Sequence, residues 1–200
     1  MSQRSALLPL SSVAAVMAAA VPAHAQTTQT SKPIQVSGQV PESCTIGAPA
    51  LSAAGQENFR GLDGTLLQVD QLVDPATLST RAASAELVFA SFCQTAHRLV
   101  VESRNNGLFR EPGNNPIVAP GFGFAVPYRA TAYWGEQVLR LRADASTRRI
   151  NQDWVGAGPT VGDLRLRLDI DAGATNEKPN APLIAGLYSD IIRITLEPQQ

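Results

Sequence analysis

Two cysteines, Cys44 and Cys93, are the residues whose type most constrains the chemistry open to this chain. An apolar leader at the N-terminus sends them to an oxidising compartment, where an even count favours one disulfide between them. Closing that loop removes roughly 4 kcal/mol of unfolded-state entropy in the chain-entropy treatment. The alternative is two separate buried thiols. A metal site has little to draw on, because beyond the leader only His97 remains and neither Cys-x-x-Cys nor His-x-x-x-His spacing occurs.

Covalent hydrolysis needs a nucleophile, a base and a group that orients the base. The only base of the usual kind, His97, stands in CQTAHRLVV at the start of a strand beside Cys93, and no Gly-x-Ser-x-Gly is present. His97 is therefore expected as a surface or strand-edge residue, and no enzyme is expected. Asp169 and Asp171 in DIDAG offer oxygens to a hard cation, but the rest of a twelve-residue calcium loop is missing, and Asp169 fits the outward side of a strand. Gly121-Phe122-Gly123 is followed by no helical pattern and makes no phosphate cradle. Trp134 and Trp154 could stack on a sugar, though core or loop anchoring is the commoner use of so few tryptophans. No cofactor is expected.

The elements that position these residues begin after residue 25. One early cation, Arg4, precedes an apolar run from about Ala6 to Val21, and Ala23-His24-Ala25 has the small-x-small pattern of a cleavage site. Residues 1–25 thus read as a signal peptide. No other stretch offers ~18 uninterrupted apolar residues, so no stable membrane span is expected. The remainder of the chain suffices for one domain with its own core. The whole chain carries 16 Lys and Arg against 17 Asp and Glu, and no stretch concentrates the basic residues among aromatics, so nucleic acid is not expected as a partner.

Alternation of period two runs through the chain. Ile34, Val36, Gly38 and Val40 share one face of an expected strand that ends at Pro41, whereas Gln26 to Lys32 is polar. Gly47 to Thr80 is rich in Gly, Ala, Asp and Pro and shows one short strand, Leu66 to Val69, and a weak helical pattern over Pro75 to Ala85. Ala85 to Phe92 and Arg98 to Ser103 predict strands on either side of Cys93, closed by Asn105-Asn106-Gly107. The loop Arg110 to Gly121 contains three prolines and is excluded from a central strand. Phe122, Phe124 and Val126 alternate next, and Tyr128 to Trp134 with Val138 to Leu141 predict a hairpin about Gly135-Glu136. In LRLRLDI, Leu164, Leu166, Leu168 and Ile170 point inward and Arg165, Arg167 and Asp169 outward. The last strand, Tyr188 to Leu196, sets Tyr188, Asp190, Ile192, Ile194 and Leu196 on one face. Many short strands and no strong helical period predict an all-β, antiparallel sandwich.

Four of these stretches together resemble the spore coat protein U domain, the subunit type of archaic chaperone-usher pili. They are VSGQVPESCTI (Val36 to Ile46), LVFASFCQTAHRLVVES around the second cysteine, the NNGL turn, and the closing AGLYSDIIRITLEP, whose Gly-x-Tyr-Ser-Asp is the most specific. The resemblance implies an immunoglobulin-like sandwich that lacks its last strand and so exposes an apolar groove. It implies three partners: a periplasmic chaperone that fills the groove first, an outer-membrane usher, and a neighbouring subunit whose N-terminal segment replaces the chaperone. On this reading residues 26–36 are an extension and candidate donor strand carrying Ile34 and Val36, and residues 37–200 are the pilin-like domain. Tyr188, Ile192, Ile194 and Leu196 of the closing strand then border the groove. The product is a cell-surface or extracellular fibre, reached through the periplasm.

Donor segments of that family alternate large apolar residues with a small one, and here Gln26 to Lys32 does not. Either Ile34 and Val36 form the donor face and the first strand starts near Gly38, or the chain is a minor or terminal subunit that donates poorly. The competing function is a stand-alone secreted sandwich that binds a carbohydrate or protein ligand through loops such as Arg110 to Gly121.

Overall fold

The structure, a computed structural model, describes residues 32–111 and 119–199, so residues 1–25, read above as a signal peptide, residues 26–31 and most of the Arg110 to Gly121 loop lie outside the described residues. The chain divides into two units, Met1–Gln39 and Val40–Gln200. In the first, residues 32–39 carry neither strand nor helix, and Ile34 and Val36 are exposed. The strand expected over Ile34 to Val40 is therefore absent. Alternation supplies an apolar face, but an extended backbone also needs a partner for its N–H and C=O groups, and residues 34–40 enter no ladder.

Among the described residues the second unit holds strands and connections only. These are β1 (Cys44–Leu51), β2 (Phe59–Asp63), β3 (Leu66–Val69), β4 (Ala83–Cys93), β5 (His97–Ser103), β6 (Leu108–Arg110), β7 (Ala125–Val126), β8 (Tyr128–Trp134), β9 (Gln137–Ala143), β10 (Asn151–Ala157), β11 (Thr160–Ile170), β12 (Tyr188–Ser189) and β13 (Ile192–Pro198). A five-stranded sheet has the order β1-β4-β11-β8-β9, and a three-stranded sheet has the order β10-β5-β13. Two small sheets, β12-β6-β7 and the hairpin β2-β3, complete the set. Every ladder is antiparallel. One continuous core draws Leu87, Trp134, Leu141 and Leu164 from the larger sheet and Leu99 and Val101 from the smaller, so the two sheets face each other as the layers of a sandwich.

The inner faces follow from alternation. In β4 every second residue from Ala83 to Cys93 is buried, and in β8 the buried set is Tyr128, Ala130, Ala132 and Trp134. β8 and β9 meet through a two-residue turn in which Gly135 takes φ 57°, as the Gly135-Glu136 reading requires. β11 pairs with β4 on one side and β8 on the other, and Leu164 and Leu166 are buried while Arg165 is exposed. The expected register therefore holds. Leu168, expected to be buried, is only half-buried, because the core opens into a groove beside it. Leu166→Ala should cost about 2–5 kcal/mol of stability, measured by urea unfolding.

Cys44 and Cys93 form the disulfide and stand opposite each other in the β1-β4 ladder. The flanking bond from the Gln94 N–H to the Ser43 carbonyl makes 43/94 a hydrogen-bonded pair and therefore 44/93 a non-hydrogen-bonded one, the pairing in which opposed Cα atoms lie closest. They are 4.0 Å apart. The weak helical pattern over Pro75 to Ala85 yields no helix. The Asp74 carboxylate instead accepts the N–H groups of Ala76 and Thr77 in a single turn, Leu78 takes φ 59°, and β4 begins at Ala83. The alternation of Phe122, Phe124 and Val126 gives only the two-residue β7.

Candidate strand-docking groove

Two edges of the sandwich come together without pairing. β1 ends the larger sheet, β13 ends the smaller one, and the two lie side by side with no ladder between them. The outer edge of β13 can be worked out from its register with β5. Arg104 donates to the Ile191 carbonyl at one end and Gln199 to the Ala96 carbonyl at the other, so the odd-numbered residues of β13 bond to β5. The backbone groups of Ile192, Ile194 and Leu196 therefore point at the open edge. On β1 the same reasoning turns Cys44, Ile46 and Pro49 outward, which explains a proline inside a strand: its missing N–H falls where no ladder bond would form.

Between these edges runs a groove of about 300 Å³ with apolar walls. Leu87 and Phe89 of β4 and Leu166, Leu168 and Ile170 of β11 form the floor. Ile46 and Pro49 form one rim and Ile192 and Ile194 the other. Phe59, Leu66, Leu67 and Val69 of the β2-β3 hairpin supply a further wall. Of the residues expected on the closing strand, Ile192 and Ile194 thus line the groove. Leu196 belongs to the buried core, and Tyr188 lines a separate open cavity with Leu72, Leu78 and Phe122.

The closing strand is broken in two at Asp190, which also lines the groove. Its carboxylate accepts from the Ser103 hydroxyl (2.6 Å), the Tyr128 hydroxyl (2.7 Å) and the backbone N–H groups of Asn105 (2.8 Å), Gly107 (3.3 Å) and Ile191 (2.7 Å). A side chain that takes the Ile191 and Asn105 amides removes them from strand pairing, so β12 pairs with β6 and β13 with β5. The Asn105-Asn106-Gly107 turn is thereby pinned to the last strand. The visible signal was an acidic residue in the middle of an otherwise apolar face.

Burial pushes the Tyr128 phenol far above its usual range, and the Asp190 carboxylate adds to the shift. Burial likewise pushes Tyr188 up to about 12, while its hydroxyl donates to the Ile184 carbonyl at 2.7 Å. Unfolded tyrosines titrate near 10, so both phenols hold their protons to higher pH in the folded state. Their contribution is complete below about pH 10 and should be lost as pH rises from there toward the folded values. Urea midpoints at pH 8, 10 and 11 should fall, and Tyr188→Phe should flatten part of the decline.

His97 is not at the surface, contrary to expectation. It is fully buried, and the Trp134 indole N–H donates to its Nε2 at 2.7 Å. Because an indole can only donate, the ring hydrogen is on Nδ1 and is given to the Thr95 carbonyl at 2.9 Å. Both nitrogens are engaged, out of reach of any substrate. Trp134 is a core residue, whereas Trp154 is 53% exposed on the outer face of β10 with the Arg98 guanidinium 5.1 Å from its ring centre. Asp171 is held by Arg129 and Asp169 by Arg167, so the DIDAG carboxylates are spent on arginines. Among the described residues no group of His, Cys, Asp and Glu could hold a metal, and no helix is long and apolar enough to cross a membrane. No family model, curated protein or solved structure matches the chain.

Proposed function

We propose that this chain is a structural subunit of a secreted fibre, an immunoglobulin-like sandwich completed by an extended segment from another copy. The observation that carries this reading is the apolar groove between two unpaired edges. An unpaired edge beside exposed apolar surface is an aggregation hazard, and an added strand removes it by pairing the free backbone groups of Ile192, Ile194 and Leu196 and burying alternate side chains. The segment carrying Ile34 and Val36 has the alternation this needs. Residues 34–40 enter no ladder, so their backbone groups are open to pairing with the edge of a second copy.

Export behind residues 1–25, capture by a periplasmic chaperone and passage through an outer-membrane usher belong to the same proposal. In this scheme the chaperone shields the groove until a neighbouring subunit takes its place at the cell surface. The test is deletion of residues 26–36 from the exported chain. The truncated protein should fold and accept the segment of an intact copy, yet fail to dock into a neighbour, so that it caps fibres instead of extending them. Fibres built from the truncated chain alone would overturn the proposal, as would an intact chain that stays a stable monomer. The second outcome would favour a self-sufficient binding module, for which Trp154, exposed on the outer face of β10, is the specific observation.

A further inference from the structure

The wall that β2 and β3 provide differs from the others in how it is held. β1 is joined to β4 by a ladder and a disulfide, and β13 by a ladder to β5, whereas no strand extends the β2-β3 sheet on either side. An isolated two-stranded hairpin is marginally stable in water. Its polar attachments to the rest of the domain gather at the base. Glu57 and Ser84 exchange backbone bonds at 2.8 and 2.9 Å, and the Asn58 amide donates to the Gln71 and Ala82 carbonyls at 2.8 and 3.0 Å. Asn58 sits there at φ 55°, the left-handed conformation that asparagine tolerates. At the far end the chain reverses through Gly64-Thr65, with Gly64 at φ 58°, and among the described residues the tip makes no hydrogen bond to the rest of the domain. It rests on the groove by apolar contact alone, and Leu66 is 56% exposed.

The hairpin therefore stands beside an open apolar groove as its least attached wall, the one that a strand entering between β1 and β13 would displace most easily.

We propose that the β2-β3 hairpin is a clasp: it swings about Asn58, admits an extended segment from a second copy of this chain, and closes on it through Leu66 and Leu67. This rests on the reading of the groove as a strand acceptor. The occupant is residues 34–40, whose Ile34, Val36 and Val40 match the apolar floor.

The test uses the chain lacking residues 1–36, called unmodified where it carries no substitution, and a fluorescent peptide of residues 26–40, with association and release followed by anisotropy and amide hydrogen exchange measured on the same truncated chain with and without peptide. Bound peptide should slow exchange across residues 59–69 while leaving the β8-β9 turn unchanged. Leu66→Ser should speed release about tenfold or more by removing apolar contact, and Asn58→Ala, which loosens the base, should speed association. If the unmodified protein takes up the peptide but exchange in the hairpin does not change and Leu66→Ser releases it at the normal rate, the clasp is wrong and the strand acceptor stands. If the unmodified protein takes up no peptide, both fall.

Discussion

Ile192→Asp and Ile194→Asp are each expected to lower the affinity of the groove for the 26–40 peptide at least about 100-fold, since an unpaired carboxylate among apolar walls costs several kcal/mol. Both side chains line the rim, and the backbone groups of the same residues face the open edge, so the charge would sit where the added strand must approach most closely. Ile191→Asp is the matched control. Ile191 is 51% exposed and its carbonyl already bonds to Arg104, so this variant should bind within about twofold of the unmodified protein by the ordinary tolerance of surface positions. Near-UV circular dichroism would confirm that each variant is folded. Unchanged peptide affinity in both rim variants would show that this edge is not where a strand is added.

Replacing both cysteines by alanine should lower the unfolding free energy by roughly 4 kcal/mol, because the bridge closes a sequence separation of 49 residues. The loss should be uneven. β1 is held along one edge only, so amide exchange there should rise more than in β11, which has partners on both sides. Urea unfolding of the double variant, beside the oxidised parent with and without reductant, separates the crosslink from the lost side chains. A change below about 1 kcal/mol, smaller than typical values for a native disulfide, would mean that β1 is secured by its ladder and its packing instead. The same variant bears on the groove, because Ile46 and Pro49 on β1 form one rim.

Much of the central sandwich was legible in the residues. LRLRLDI, the hairpin about Gly135-Glu136 and the stretches flanking Cys93 each carry a clean alternation bounded by turn residues and each is a strand, and in LRLRLDI Leu164, Leu166 and Ile170 face inward as expected. That face meets a core, so the local pattern and the tertiary environment agree. The edges were harder. β1 includes Gly47 and Pro49 and reads as a loop, and β10 exposes residues on both sides, so its apolar alternation is faint. Both are strands because β4 and β5 offer them an unpaired edge.

By itself the sequence determined the all-β class, the inward face of the LRLRLDI strand and the disulfide partners, because each depends on residue type at a short, fixed spacing or on a bare count of two. The groove was decided elsewhere. Its walls come from β1, the β2-β3 hairpin, β4, β11 and β13, residues far apart in the chain that the pairing order brings together. The same holds for His97, buried because Trp134 meets it across the core, and for Asp190, which breaks a regular alternation to hold the turn after β5. Residues 34–40 show the converse: they alternate as well as any strand here and form none, because extended backbone is stable only against a partner, and which segments find one is settled by the fold as a whole.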